Sequence, residues 1–299
     1  MSDKPIRIAV FIPEFKWERM NLHQVKPETH GVELVSVNLE ADLSSFDGIL
    51  HKFTYQLVDG HESDVRRISE YAKSRPGFIV IEPIDNIRIF VDRLVLQNFL
   101  KQHPLPPCVE YVEGVEISNQ SQPNNISFDF PYILKPVHAC GTADSHSIQI
   151  IHNEEQLSKV QNNNNCQLLA FPFVPHYGVV FKVYSLAGEI VMRSSGSLVL
   201  RNKEATAFDS QKPLPDDLAN EAFAASQAEQ IAPSMEELKA ISDSLQRSTG
   251  VQLLGFDILR RESDGKLCLV DFNYFPCFRG VEDVAGKFAR FIKSKAETK

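Results

Sequence analysis

The stretch GVQLLGFDILRRESDGKLCLVDFNYFP, from Gly250 to Pro276, carries the strongest structural signal in the sequence. Two runs rich in apolar residues flank Ser263-Asp264-Gly265, and a glycine-containing turn between two such runs is typical of a β-hairpin. If these three residues form the loop, with Gly265 in the left-handed conformation, Asp257 pairs directly with Asp271 across the hairpin. The hairpin is therefore predicted to place two carboxylates opposite each other on one face.

Two facing negative charges destabilise a hairpin unless a cation lies between them. Sites made of oxygen ligands suit Mg²⁺, which proteins usually hold through one or two carboxylates together with substrate phosphates. Asn273 lies two residues beyond Asp271 and shares its face of the strand. The alternative is a pair of solvated aspartates on an exposed sheet face, and the dense apolar residues around Asp257 and Asp271 argue against it. A Mg²⁺ site is the favoured interpretation.

Two lone lysines lie in apolar stretches upstream of this hairpin, Lys135 in YILKPV and Lys182 in VVFKVYS. A buried ammonium group requires an anionic partner, although a lysine can also keep its charge in water by extending its stem along apolar surface. Between them, the small residues of ACGTADSH (139–146) could place backbone N–H groups against phosphate. This loop lacks Walker A and GxGxxG spacing, so its signal is weak by itself. Together the two lysines favour a shared anionic ligand.

The first part of the chain alternates between strand and helix patterns. Apolar runs predict strands at Ile6–Ile12, Val32–Val37, Ile49–Leu50 and Gly77–Ile81. The segment Glu62–Ser74 predicts a helix with Ile68 and Ala72 facing inward. This alternation indicates a parallel sheet covered by helices, in a lobe that ends near residue 98. Such sheets bind ligands beyond the carboxyl ends of their strands, where Lys16 and Lys52 follow the first and third strands.

The rest of the chain is richer in strands. Strands are predicted at Tyr132–Val137, Ser147–Ile151, Leu168–Val174, Val179–Leu186 and Glu189–Met192. Helices are predicted at Asp92–Gln102, Met235–Ser248 and Glu282–Lys295. The charged, proline-containing segment Asn202–Asp217 predicts a mobile loop.

The composition is that of a globular protein: 43% of the 299 residues are hydrophobic and 23% are charged, which excludes a disordered or collagen-like chain. A formal net charge of −8 disfavours nucleic acid and anionic membranes as partners, because both require a basic face. The five cysteines show neither CxxC nor zinc-site spacing, so we expect reduced thiols. The polar N-terminus lacks a signal-peptide pattern, and no apolar run reaches the roughly 20 residues of a membrane helix. We expect a cytoplasmic monomer.

Four segments together make the sequence resemble the inositol-tetrakisphosphate 1-kinase family, also described as inositol 1,3,4-trisphosphate 5/6-kinases, which has the ATP-grasp fold. They are ILHKFT (Ile49–Thr54), GTADSH (Gly141–His146), FVPHYGVVFKVY (Phe173–Tyr184) and the hairpin GVQLLGFDIL…LVDFNYFP. The similarity runs from Ile6 to the last helix. It implies an α/β (α+β) protein with a Rossmann-like substrate-binding lobe over residues 1–98. Two ATP-grasp subdomains, over residues 99–174 and 175–299, then clamp the nucleotide, and the second carries the Mg²⁺ site.

The resemblance also implies roles for individual residues. The implied Mg²⁺ ligands are Asp257, Asp271 and Asn273, and Asn273 also contacts substrate. The implied ATP contacts are Arg93, Lys135, the hinge residues Phe171, Phe173 and Val174, and Ser197 and Ser210. The implied inositol phosphate contacts are Lys16, Lys52, His146 and Lys182. The implied catalytic residues are Lys182, His146 and Arg193.

The function implied by the resemblance is phosphorylation of a hydroxyl group of an inositol tris- or tetrakisphosphate, with ATP as co-substrate and one or two Mg²⁺ ions. Such phosphoryl transfer depends mainly on positioning and on cations that stabilise the transferring group. Two alternatives share this nucleotide-binding apparatus. A carboxylate–amine ligase does not need Lys16, Lys52 and His146 to converge on a polyphosphate. A non-catalytic inositol phosphate sensor does not need the complete set of Mg²⁺ ligands.

Three positions depart from the pattern of the family. Cys140 stands where members often have histidine or another polar residue, and Cys277 replaces the common glycine after the Phe-Pro pair. Ser195 stands where the family often has an arginine. Arg193 lies two residues earlier and on the same face of a strand, so the role is assigned to it. These changes bear on substrate preference more than on nucleotide binding.

Overall fold

The computed structural model describes residues 4–117, 126–141, 145–160, 167–201, 203–210, 212–215, 218 and 221–297. In chain order the strands are β1 Ile6–Phe11, β2 Val32–Ser36, β3 Gly48–His51, β4 Ile79–Ile81, β5 Val109–Tyr111, β6 Val115–Ile117, β7 Tyr132–Pro136, β8 Ser147–Ile151, β9 Leu168–Pro172, β10 Val179–Leu186, β11 Glu189–Gly196, β12 Thr206–Asp209, β13 Leu253–Arg260 and β14 Leu267–Tyr274. The α-helices are α1 Glu14–Arg19, α2 Pro27–His30, α3 Thr54–Val58, α4 Glu62–Ser74, α5 Arg93–Gln102, α6 Glu154–Ser158, α7 Glu221–Ile231, α8 Met235–Thr249 and α9 Val284–Glu297. Short 3₁₀ helices cover Leu22–Gln24 and Asn86–Phe90.

The first lobe contains a four-stranded parallel sheet in the order β2-β1-β3-β4. Its strands are apolar and β-branched because helices cover the sheet and remove them from water. Helix α4 has the predicted bounds, and its buried side chains include the predicted Ile68 and Ala72. Strand β3 ends at His51, so Lys52 leaves the sheet at the carboxyl edge, as predicted. The parallel-sheet prediction for this lobe is confirmed.

Two five-stranded sheets form the rest of the molecule, in the orders β12-β8-β7-β9-β6 and β11-β10-β13-β14-β5. Two strands cross the predicted subdomain boundaries. Strand β5, from the segment 99–174, pairs in parallel with β14 in the C-terminal sheet. Strand β12, from the segment 175–299, pairs with β8 in the central sheet. The predicted loop over 202–217 thus contains a strand, because four residues carry too little alternation to reveal an edge strand whose partner lies far along the chain.

The β13–β14 hairpin pairs Asp257 with Asp271, as predicted, and Gly265 is left-handed with φ +73°. The predicted three-residue loop is wrong. The Arg261 amide donates to the Lys266 carbonyl at 3.0 Å, which leaves four residues, 262–265, in the loop. A β-bulge at Val270 compensates, because Ile258 pairs with Leu269 whereas Asp257 pairs with Asp271. The extra residue restores the register that keeps the two aspartates on one face.

A shared apolar core joins the first lobe to the C-terminal sheet. The ring of Phe90 packs 5.0 Å from Phe272 and 5.9 Å from Tyr274 on β14. The Tyr274 hydroxyl donates to the His51 carbonyl at 2.6 Å. Since this interface between the first lobe and β14 is buried, Lys16 and Lys52 are held in a fixed position relative to the β13–β14 hairpin.

The described residues contain no helix of the length and apolarity that a bilayer crossing requires. The described cysteines, Cys108, Cys140, Cys268 and Cys277, are free thiols. Cys166 and residues 142–144 of the predicted phosphate loop lie outside the described residues.

Candidate active site

A row of four charged side chains crosses the C-terminal sheet. Asp271 pairs with Asp257, Asp257 pairs with Lys182, and Lys182 pairs with Arg193 on four adjacent strands. Residues directly opposite each other in a sheet point to the same face, so all four share one surface. The Lys182 Nζ lies 2.7 Å from Asp257 Oδ2. The two acidic and two basic side chains therefore form a polar row across one face of a mainly apolar sheet.

The two aspartates of this row have different electrostatic surroundings. Burial raises the pKa of Asp257, and repulsion from Asp271 adds to this, while Lys182 opposes it. Burial also acts to raise the pKa of Asp271, but Lys135 and Arg93 outweigh it, so this pKa lies below its usual value. Asp271 is consequently ionised at neutral pH, and its negative charge faces the cavity described below.

The donor atoms around the aspartates fit the predicted Mg²⁺ ion. The Asn273 Nδ2 donates to Asp271 Oδ2 at 2.6 Å, which places a third oxygen-bearing side chain beside the pair. Within the described ranges, no group of three or more His, Cys, Asp or Glu side chains is arranged to hold a metal. The candidate ligand set is therefore two carboxylates and one amide, all of them hard oxygen donors of the kind that Mg²⁺ prefers.

A cavity of about 320 Å³ lies between the central and C-terminal sheets. Ten of the predicted site residues line it: Arg93, Lys135, Phe171, Phe173, Val174, Lys182, Ser197, Ser210, Asp257 and Asp271. Its apolar walls are formed by Val112, Ile133, Ile148, Val180, Leu198, Phe208, Leu214, Leu259 and Val270. The cavity thus offers a flat apolar slot beside the 171–174 hinge segment together with the charged residues of β10, β13 and β14. This is the pattern of a small-molecule pocket with few convergent polar groups.

Two cations, Lys135 on β7 and Arg93 at the start of α5, border this cavity. The Lys135 Nζ donates to the Val270 carbonyl at 3.1 Å and lies 5.2 Å from the centre of the Phe171 ring. Burial lowers the pKa of Lys135, and the charge of Asp271 opposes that effect. The Arg93 Nη1 donates to the carbonyls of Pro136 and His138 at 2.7 and 2.9 Å, which fixes the start of α5 against the end of β7.

The two predicted lysines of the first lobe meet at the end of β14. The Lys16 Nζ donates to the Phe275 carbonyl at 2.7 Å, and the Lys52 Nζ donates to the Tyr274 carbonyl. Lys16 is 4% exposed and Lys52 is 9% exposed, so both ammonium groups are largely removed from water. Burial, with repulsion from Lys16, lowers the pKa of Lys52 to about 7. The Cys277 Sγ lies 3.6 Å from the Lys16 Nζ.

His146 adjoins the cavity through its backbone, because its carbonyl accepts from the amide of the lining residue Ser210 at 2.9 Å. Burial lowers its pKa, the charges of Arg93 and Lys52 lower it further, and those of Asp209 and Asp271 oppose this. Lys16, Lys52, His146 and Arg193 are not among the residues that line the cavity itself. Arg193 is exposed, and its guanidinium packs against Gly280, where a Cβ would collide with it.

Sequence reasoning missed several residues that line the cavity, among them His176 and Phe208. His176 is buried, lines the cavity and contacts both Val174 and Ser197. It belongs to the segment FVPHYGVVFKVY, and its position beside the predicted hinge was the signal that could have identified it. Phe208, on the overlooked strand β12, supplies part of the apolar wall.

The fold is the ATP-grasp fold. A D-cycloserine synthetase superposes with a TM-score of 0.63 at 14% identity, covering 97% of this chain and 99% of that one. An ATP-grasp RimK domain protein from Sphaerobacter thermophilus gives a TM-score of 0.60 at 14% identity, covering 96% and 99%. Within this fold, the chain belongs to the family of inositol 1,3,4-trisphosphate 5/6-kinase ATP-grasp domains, whose model matches residues 101–294.

Individual relatives agree with this assignment. An inositol-tetrakisphosphate 1-kinase from Danio rerio is 25% identical over 327 aligned positions, covering 96% of this chain and 78% of the relative. An inositol-tetrakisphosphate 1-kinase 5 from Oryza sativa subsp. japonica is 32% identical, covering 82% of this chain and 76% of the relative.

Proposed function

We propose that the protein is an ATP- and Mg²⁺-dependent kinase that phosphorylates a hydroxyl group of an inositol tris- or tetrakisphosphate. Family membership supports the class of substrate. The observation that carries the proposal is the position of Lys16 and Lys52 at the end of β14, the strand that carries Asp271, with the His146 carbonyl bonded to the cavity residue Ser210. A polyphosphorylated acceptor needs cations from several directions, and in this proposal Lys16, Lys52 and His146 supply them.

The proposed mechanism assigns each region one task. The apolar walls and the main chain of 171–174 hold the base, and Lys135 and Arg93 hold the upstream phosphates. Asp257, Asp271 and Asn273 would hold Mg²⁺, which would supply positive charge for the phosphate oxygens. Lys182 and Arg193 neutralise the transferring group, while His146 orients the attacking hydroxyl. Because the transition state carries its charge on oxygens, catalysis follows from positioning and from these cations.

The test is product separation after incubation with ATP, Mg²⁺ and a panel of inositol tris- and tetrakisphosphates. The expected result is a singly added phosphate and stoichiometric ADP. Parallel reactions with amino-acid and peptide carboxylates plus amines test the ligase alternative, in which ADP appears only with those acceptors. Tight inositol phosphate binding without any transfer would identify a sensor and contradict the proposal.

A further inference from the structure

His176 joins two walls of the nucleotide cavity. Its Nδ1 lies 2.7 Å from the Val174 carbonyl oxygen in the hinge, and its Nε2 lies 2.8 Å from the Ser197 Oγ just beyond β11. The side chain is 7% exposed. The backbone reinforces this arrangement, because the Ser197 amide donates to the Gly178 carbonyl at 2.8 Å and the Gly178 amide donates to the His176 carbonyl at 2.7 Å. Imidazole, hinge and serine are therefore held as one unit.

The chemistry of these partners fixes the direction of both hydrogen bonds. A carbonyl oxygen only accepts, so the Nδ1 of His176 carries the hydrogen. Burial lowers the pKa of His176, which keeps the ring neutral and leaves Nε2 as an acceptor. The Ser197 hydroxyl must then donate to Nε2. Its hydrogen is committed to the histidine, and its oxygen is left to accept a hydrogen bond from a ligand.

We propose, on the basis of the proposed function, that His176 is a positioning residue that makes Ser197 an acceptor for a ribose hydroxyl of the nucleotide. Only the His176 ring separates Ser197 from the hinge carbonyl of Val174. Ser197 therefore lies next to the proposed position of the adenine base. The group that follows the base toward the phosphates is the ribose, and its hydroxyls are the only O–H donors of ATP at neutral pH. Phosphate oxygens are themselves hydrogen-bond acceptors, so they cannot form a hydrogen bond with the Ser197 oxygen in this state.

The experiment measures binding of ADP, 2′-deoxyADP and 3′-deoxyADP by calorimetric titration in the absence of inositol phosphate. His176→Asn keeps a donor near the Val174 carbonyl but removes the Nε2 acceptor, whereas His176→Gln places an amide oxygen near the Nε2 position. We expect His176→Asn and Ser197→Ala each to weaken ADP binding about 5–10-fold, the range of one hydrogen bond. The double variant should lose no more than Ser197→Ala, and His176→Gln should restore most of the affinity.

The deoxynucleotides separate this contact from a structural defect. With the nucleotide that lacks the bonded hydroxyl, wild type, His176→Asn and Ser197→Ala should bind within about twofold of one another. His103→Asn is the matched control, because the Nδ1 of His103 also contacts a backbone carbonyl, that of Phe99, at 2.9 Å, and His103 does not line the cavity. It should bind all three nucleotides like wild type.

Three results would overturn the inference: wild-type ADP affinity in His176→Asn, an equal loss with ADP and both deoxynucleotides, or no recovery in His176→Gln. Should His176→Asn fail to fold, the comparison of Ser197→Ala with His176→Gln across the three nucleotides decides the question. Failure of the proposed function is distinguishable, since the wild type would then bind ADP without phosphorylating any inositol phosphate, or would bind no ADP at all.

Discussion

At the scale of single residues, the site is governed by buried charges whose ionisation depends on their neighbours. Lys52 is the clearest case, because burial and the nearby Lys16 lower its pKa to about 7. The group is therefore partly neutral at physiological pH when the acceptor is absent. An incoming polyanion favours the charged form and raises this pKa, so that binding and protonation are linked.

Binding of an inositol phosphate should consequently take up a proton at Lys52, and affinity should fall as the pH rises from about 7 to 9. Calorimetric titrations in two buffers of different ionisation enthalpy measure this uptake directly. Lys52→Arg, whose guanidinium stays charged throughout the range, should show a flatter pH profile. Equal proton uptake by wild type and Lys52→Arg would contradict the assignment.

Asp271 offers a second test at this scale, since its pKa is held low and its charge faces the cavity. Asp271→Asn keeps the shape of the side chain and removes the charge, so we expect kcat to fall about 100-fold or more in a variant that still folds. Asp264→Asn, the same substitution in the hairpin loop, is the control and should retain activity. Full activity of Asp271→Asn would remove this residue from the proposed mechanism.

At the scale of elements, the sequence predicted what local patterns encode. The apolar runs of β8 and β10 and the amphipathic α4 have the predicted bounds. The hairpin was predictable in its pairing but not in its loop, because the bulge at Val270 depends on how β14 packs against its neighbours. Strand β12 was missed because its partner β8 lies more than fifty residues earlier in the chain, so that no local pattern reveals the pairing.

Helix α8 carries a complete capping box, with the Ser234 hydroxyl accepting from the Glu237 amide and the Glu237 carboxylate accepting from the Ser234 amide. Ser234→Ala leaves amide groups of the first turn without these partners and should lower the free energy of unfolding by about 1 kcal/mol. Denaturant unfolding measures this. Ser248→Ala, at the other end of the same helix, is the control and should change stability by less than about 0.5 kcal/mol. Kinase activity should be unchanged in both, because α8 does not line the cavity.

At the scale of the whole molecule, the site depends on contacts between segments far apart in the sequence. The row from Asp271 to Arg193 uses four strands, and Lys16 and Lys52, which contact the end of β14, come from the first lobe. The sequence pattern could place Asp257 opposite Asp271, because both belong to one hairpin. It could not place Lys182 beside Asp257, since that pairing arises only when β10 joins the hairpin.

Glu82 is another such long-range contact, and it makes stability depend on pH. Its buried carboxylate accepts from the amides of Gln252 and Leu253 at 2.9 and 3.1 Å, and burial raises its pKa from 4.5 to about 7. Between these values the folded protein holds a proton that the unfolded chain has released. Stability contributed by this group is therefore present below about pH 4.5 and falls as the pH rises toward 7.

Glu82→Gln keeps an acceptor oxygen and removes the titration, so the variant should gain stability relative to wild type as the pH rises from about 4.5 to 7. The slope of the difference should approach ~1.4 kcal/mol per pH unit. Thermal or urea unfolding across this range measures the difference, and His51, whose pKa burial lowers to about 4, is common to both proteins and cancels. A constant difference between wild type and variant would show that Glu82 does not titrate in this window.

The hydrogen bonds from Lys16 and Lys52 to the carbonyls of Phe275 and Tyr274 have an evolutionary consequence. In the proposed function, part of the acceptor pocket would be built from backbone at the end of the β13–β14 hairpin, so the first lobe would not be an interchangeable attachment. A chimaera that carried the first lobe of a relative would need both lysines and the aromatic surface of that lobe to fit β14 together. Acceptor preference in such kinases is therefore expected to be inherited through the junction as a unit.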